Sequence, residues 1–242
     1  MREEEKIIRY VPVRMKEMLR SVANYNSPHS GKLLRKILYA MSVIDRRFFV
    51  GSEDEEYPYG DYALSIGKGQ TISQPSTVAK MLLLSKLEEG DNVLEVGAGS
   101  GWNAALIGFL VYPGSVLSVE RIAALVEKAE RNTSKLRNYL KQKRPQDIEK
   151  VSKINFLAEN AFSKKVWKKK YDKIIITAGI ADKETGNKVK ELAKTLLKQN
   201  GLLICPYISG PLIIYKKRGN GLERKETKEY YVFVPLLEKV EK

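Results

Sequence analysis

The run Val93-Leu94-Glu95-Val96-Gly97-Ala98-Gly99-Ser100-Gly101 joins an apolar strand to a glycine turn and sets one carboxylate at the strand's tip. Glycines at alternate positions let a backbone turn sharply and approach a ligand closely, and a helix predicted from Trp102 follows at once. A dinucleotide fingerprint spaces its glycines G-x-G-x-x-G. Here the third glycine comes one residue early, and Trp102 stands where that pattern needs a glycine. Charge separates the two readings further. A carboxylate repels a pyrophosphate but attracts an ammonium or a sulfonium, so Glu95 and the loop glycines Gly97, Gly99 and Gly101 point to S-adenosylmethionine. The alternative is an ordinary strand-to-helix turn with a solvated glutamate.

Other candidates end the later strands. Glu120 lies roughly 20 residues beyond the loop, near the interval at which such folds place an acid on ribose hydroxyls. Glu159 and Asn160 end the third strand, where an acceptor and an amide could read the adenine edge. A methyl transfer also needs a nucleophile, and helpers are few: His29 is the sole histidine and Cys205 the sole cysteine. The segment Thr177-Ala178-Gly179-Ile180 has no Pro-Pro-Tyr type motif to hold a base amine, and Cys205, followed by Pro206, reads as a small apolar filler. Base methylation therefore loses support. An acceptor carboxylate is already ionised and needs positioning rather than a base. Ser73, just before the helix started by Pro75, could orient it where free N–H groups favour an anion; a plain capping serine is the alternative.

These residues need a scaffold. With 242 residues, 43% of them hydrophobic, the chain can bury a full core. Met15, Met18, Leu19 and Val22, then Leu33, Leu34, Ile37, Leu38 and Met41, repeat at helical spacing and predict two amphipathic helices. Residues 48–71, rich in Gly, Pro and Tyr, read as a wrapping loop, and Pro75 opens a third helix. From 93 onward strands and helices alternate: strands at 93–96, 116–120, 154–157, 173–177 and 202–205, with helices at 102–111, about 123–140 and 189–197. Tyr112-Pro113-Gly114 reads as a type II turn, and Gly201 as a helix stop. Residues 213–216 and 230–234 read as an antiparallel hairpin around a basic turn. The prediction is an α/β, doubly wound, mostly parallel seven-stranded sheet with the ligand at the carboxyl ends of its strands. Residues 1–75 would supply N-terminal helices and a substrate-side wrap, and 76–242 the S-adenosylmethionine-binding domain.

The longest apolar run, 104–112, falls far short of the roughly 20 residues a membrane-spanning helix needs, so no membrane partner is expected. The start, Met1-Arg2-Glu3-Glu4-Glu5-Lys6, is charged and leads into no signal-type apolar core; a cytoplasmic location is the expectation. One cysteine and one histidine leave no metal cluster to build. The net charge of +14 raises the question of a polyanion such as RNA, with Trp167 among lysines as a candidate stacking residue.

Gly69-Gln70-Thr71-Ile72-Ser73-Gln74-Pro75, the glycine run through Trp102-Asn103-Ala104-Ala105-Leu106, Val119-Glu120-Arg121-Ile122, Tyr171-Asp172 with Ile176-Thr177-Ala178-Gly179, and Phe233-Val234-Pro235-Leu236 together resemble the protein-L-isoaspartate O-methyltransferase family. The serine motif is close to family-specific, and order and spacing match from about residue 48. The resemblance implies transfer of a methyl group from S-adenosylmethionine to the free α-carboxylate of an isoaspartyl residue in damaged proteins or peptides. It implies that Ser73 assists the acceptor, that Thr71, Ile72, Asn103, Glu120 and Arg121 belong to the cofactor site, and that Gln74, Val234 and Pro235 lie beside the substrate. The chain departs from the family pattern at Ser76, where a histidine is usual, at Ala158-Glu159-Asn160, at Ile180-Ala181-Asp182, and in a basic stretch at 135–153 that reads as an insertion. An RNA methyltransferase, or a cofactor-binding relative with another acceptor or none, stands beside the carboxyl methyltransferase reading.

Overall fold

Helical periodicity decides the first layer. In the computed structural model, which describes residues 7–8, 11–29, 31–51 and 56–241, helix α1 (Val13–Tyr25) buries Met15, Met18, Leu19 and Val22, while α2 (Lys32–Val43) buries Leu34, Ile37, Leu38 and Met41. The charged start 1–6 and positions 52–55 of the wrapping segment lie outside the described residues. Helix α3 (Pro75–Ser85) starts at a proline whose missing N–H costs nothing in the first turn, and it ends at Lys86 in the left-handed region. All three pack together on one face of a sheet.

Near-continuous apolar runs make the sheet, as expected for strands covered on both faces. Its order is β10-β9-β7-β6-β3-β4-β5, built from β3 (Asn92–Val96), β4 (Ser115–Glu120), β5 (Ile154–Ala158), β6 (Tyr171–Ile176), β7 (Leu197–Pro206), β9 (Leu212–Arg218) and β10 (Gly221–Glu226). The five neighbouring strands β5, β4, β3, β6 and β7 are parallel, and β9 and β10 close one side as an antiparallel hairpin. Side-chain alternation feeds two cores: Val93, Ile175 and Ile204 join the cluster under α1 to α3, whereas Leu94, Ile174 and Leu203 join that under α6 (Lys183–Leu196). Helices α4 (Trp102–Val111) and α5 (Ala123–Lys143) make the crossovers from β3 to β4 and from β4 to β5. The strand order turns back between β3 and β6, so the loops after these strands diverge and leave a crevice at their carboxyl ends.

Several expectations are corrected. The wrapping segment is not all loop: β1 (Leu64–Gly67) and β2 (Gln70–Ile72) form a hairpin with Leu64 and Ile66 turned inward, its turn made by Gly67, Lys68 and Gly69 at positive φ. The partner of β9 is β10, joined by the two-residue turn Gly219-Asn220, rather than residues 230–234, because the charges of Glu223 to Glu226 hide the strand's alternation. Residues 230–234 supply only β11 (Tyr231–Val232), paired with β8 (Ser209–Gly210), and the chain then crosses the carboxyl ends of the strands as a strap. The Tyr112–Pro113 peptide is cis, which makes the 111–114 turn type VI rather than type II. Gly201 lies within β7 instead of ending a helix; a Cβ there would sit 2.8 Å from the Asp172 carbonyl. The basic stretch 135–153 packs into the main core through Leu136, Leu140 and Val151. Among the described residues no helix is long and apolar enough to cross a membrane.

Residues Ile37 and Leu38 share one apolar cluster with Leu82, Val93 and Leu106, so a boundary at 75/76 runs through a common core. We propose that the two parts unfold together. Leu38→Ala should cost about 2–5 kcal/mol, and urea unfolding followed by tryptophan fluorescence and by circular dichroism should give one coincident, shifted transition. Separate transitions would refute the shared unit.

Candidate active site

At the crevice lies a cavity of about 680 Å³, walled by the glycine loop, the hairpin and serine turn, and the strap. Gly97 adopts φ +98, and a Cβ on it would sit 2.3 Å from Thr177 Oγ1, which donates to the carbonyls of Val96 and Gly97 at 3.1 and 2.8 Å. Only glycine fits against that threonine. Gly101, also at positive φ, lies behind the wall, where a Cβ would press on Ala129 of α5 at 3.1 Å. It sets the helix spacing and does not line the cavity. Gly99 does line it, and donates its N–H to Glu120 Oε2 at 3.1 Å.

Glu120, 8% exposed, also accepts from Ile122 N at 3.1 Å, so two backbone N–H groups fix its carboxylate at the wall with lone pairs to spare. Arg121 lines the cavity as well, and its guanidinium binds the Lys239 carbonyl and the Glu241 carboxylate, tying the strap to the end of β4. At the far side the strap pairs with Gly179: Gly179 N donates to Val234 O and Leu236 N to Gly179 O. Val234 and Pro235 thereby become wall residues. Glu159 reaches the wall too, and its own carboxylate accepts from Asn160 N–H and pairs with Lys165, which together hold it below the usual carboxylate range. Asn160 does not reach the wall. Its Oδ1 accepts from Phe162 N at 2.9 Å, an Asx turn that closes the β5 loop.

Glu95 is placed differently from the expectation. It is fully buried beneath the loop, outside the cavity wall, and holds Asn103 Nδ2 at 2.7 Å and the Ser118 hydroxyl. Burial pushes its carboxyl up to about 7, against the lowering effect of those two donors. Asn103 does line the wall, and its Oδ1 is buried without a hydrogen-bond partner among the described residues.

Thr71, Ile72, Ser73 and Gln74 form the opposite wall. The helix N-terminus beside Ser73 is already filled, because Asp61 accepts Ser76 N–H at 2.9 Å, Ser76 O–H at 2.6 Å and Gln74 Nε2–H at 3.3 Å. The start of α3 is therefore capped from fifteen residues away in the chain, and Ser73 is not its capping residue. Arg46, with 0% exposure, donates to the carbonyls of Pro58, Gly60, Tyr62 and Ser73 and lies 5.4 Å from the centroid of Trp102, the first residue of α4. Sequence reasoning missed Asp61 and Arg46. The spacing of neither carries a signal, and their partners lie on remote segments: backbone carbonyls for Arg46, and a backbone N–H with two side chains for Asp61. Tyr25, Tyr62 and Tyr230, also missed, add aromatic faces to the wall. Trp167 packs against the core and donates to the Ala161 carbonyl, and burial pushes the Cys205 thiol up, in keeping with a filler role.

The family model for protein-L-isoaspartate(D-aspartate) O-methyltransferase matches residues 15–241. The chain belongs to that family. A protein-L-isoaspartate O-methyltransferase of Methanothrix thermoacetophila is 35% identical over 231 residues, covering 94% of this chain and 96% of the relative. One from Pyrococcus abyssi is 38% identical over 196 residues, covering 79% and 82%. Among solved structures, a protein-L-isoaspartate O-methyltransferase superposes with a TM-score of 0.73 at 25% identity, over 93% of this chain and 67% of that one. A Plasmodium falciparum chain crystallised with S-adenosyl-L-homocysteine has the same fold, with a TM-score of 0.69 at 23% identity, over 90% and 97%.

Two outcomes follow from this geometry. Arg46→Met strands four carbonyls and should destabilise by about 3 kcal/mol or more in urea titrations. A loss within experimental error would show that the wrap is held by other means. For Glu95, a carboxyl raised above its unfolded value favours the folded state while protonated, so its contribution is complete below about pH 4.5 and fades as pH rises through about 7. The difference is on the order of 3 kcal/mol, and Glu95→Gln should flatten that slope in unfolding midpoints measured across the range.

Proposed function

We propose that this protein is an S-adenosylmethionine-dependent carboxyl methyltransferase acting on L-isoaspartyl residues of damaged proteins. The observation that carries the proposal is a cavity in which the family's serine turn faces the glycine loop across one space. Full-length similarity to relatives carrying that activity in their names supports the substrate class. A buried lone cysteine and the absence of any long apolar helix among the described residues agree with work in a reducing, aqueous compartment, which we take to be the cytoplasm.

The wall fits the cofactor. About 680 Å³ accommodates a nucleoside with an amino-acid tail, and the Gly97 turn leaves room that a side chain would fill. Glu120 would accept both ribose hydroxyls, Glu159 would meet the adenine, and Asn103 Oδ1, without a partner among the described residues, would accept from the ammonium. Gly97, Gly99, Thr71, Ile72 and Arg121 complete the enclosure. When bound, S-adenosylmethionine supplies an electrophilic methyl group.

The chain's own task is positioning. An α-carboxylate is ionised at neutral pH, so no residue need remove a proton, and what remains is to bring one of its oxygens into line. Ser73 stands at the wall with its carbonyl fixed by Arg46 and the following turn fixed by Asp61, leaving its hydroxyl to donate to the acceptor. Because Asp61 fills the helix N-terminus, that hydroxyl rather than the helix end must orient the carboxylate. Gln74, Val234 and Pro235 border the same mouth and would meet the flanking peptide.

The deciding assay incubates an isoaspartyl peptide with donor carrying a labelled methyl group, then applies mild alkali. Volatile labelled methanol is the expected product. Label that stays on the acceptor through alkali would point to another reaction. Ser73→Ala should lower kcat about tenfold to a hundredfold with donor affinity nearly unchanged, and a fall in donor affinity instead would remove Ser73 from the acceptor side.

A further inference from the structure

One buried polar atom at the cavity is left over. Asn103 Nδ2 is taken by Glu95 Oε1 at 2.7 Å, Glu95 Oε2 is taken by the Ser118 hydroxyl, and Asn103 Oδ1 has no partner among the described residues. An acceptor stranded out of water costs about 1–3 kcal/mol, and such a group persists where something else requires it. The arrangement is directional. An ionised carboxylate can only accept, so it obliges the amide to turn its NH2 end toward Glu95 and its oxygen away from it, in a residue that lines the cavity.

We propose that Glu95 is a positioning residue that never touches the cofactor but orients the Asn103 amide, so that Oδ1 is the atom offered to the cofactor's ammonium. This rests on the reading of the cavity as an S-adenosylmethionine site. It replaces a direct charge contact with a relay in which the buried carboxylate acts through one amide. The glutamate's two other influences are the Ser118 hydroxyl, which saturates its second oxygen, and the charge of Glu120, which pushes its titration upward.

Replacing Glu95 by Gln keeps shape and volume but reverses the logic. Ser118 continues to donate to the remaining oxygen, so the new NH2 faces Asn103 and draws Oδ1 toward itself. The asparagine then shows its own NH2 to the cavity, which an ammonium cannot use. Loss of affinity should therefore be confined to ligands that carry the amino-acid tail.

Calorimetry at about pH 8, where Glu95 is ionised, separates these effects with two probes: S-adenosyl-L-homocysteine, which has the ammonium, and 5′-methylthioadenosine, which lacks it. Glu95→Gln should weaken the first about tenfold or more and the second less than about twofold. Asn103→Ala should do the same, and the double variant should be no weaker than Asn103→Ala alone. Equal losses for both probes would make Glu95 a mere prop of the loop, a further loss in the double variant would mean that it acts directly, and no loss would end the idea. Retained 5′-methylthioadenosine binding reports that the variants are folded. Wild-type protein that binds neither probe would overturn the cofactor reading itself.

Discussion

A guanidinium removed from water needs acceptors from the protein, and the two terminal nitrogens of Arg46 collect four carbonyls from residues distant in sequence. Three belong to the wrapping segment and one to Ser73, while the flat face lies over Trp102, whose own indole N–H donates to the Ile44 carbonyl at 3.0 Å. Trp102 opens the helix that follows the glycine loop. One side chain, a rigid planar cation, thus couples the wrapping segment and the serine turn to the helix that follows the glycine loop. Asp61 completes the link from the other direction. It belongs to the segment that Arg46 holds, and it in turn holds the turn that carries Ser73.

The remaining walls come from the sheet. Parallel pairing of β3 with both β4 and β6 brings Gly97, Glu120 and Thr177 to one edge of the fold. The strap then spans that edge, joined to Gly179 on one side and to Arg121 and Ile122 on the other. Glu120 and Arg121 are held through their side chains and Gly179, Val234 and Leu236 through their backbones, so the edge is fixed at several points.

The sequence made the parallel sheet, the glycine loop and the helical layer legible because each has a short-range signature: an apolar run, a glycine spacing, a period near 3.6. It misplaced the second strand of the terminal hairpin because 221–226 carries charges at consecutive positions on an edge where burial demands no alternation. For the site, motif residues such as Ser73, Glu120 and Val234 were readable and do converge on the cavity, whereas Asn160 and Gly101 turned to local structural tasks. Glu95 was readable as important but not as buried, since the type of a residue at a strand tip does not reveal whether the following loop folds over it. Arg46 was invisible because it acts on main-chain atoms, which look alike at every position, and Asp61 because its partners, the Ser76 N–H and hydroxyl and the Gln74 amide, lie on a remote segment.

Strand β10 carries a consequence for the company this protein keeps. It is the outermost strand on its side of the sheet, and its free backbone edge would accept any extended chain that approached. Glu223, Arg224, Lys225 and Glu226 stand exposed along it, with Glu223 paired to Arg218 and Glu226 to Arg224, so a visiting strand would have to strip water from charges on both faces. A catalyst meant to handle ageing, partly unfolded polypeptides is by this means kept from recruiting them into aggregates on its own flank.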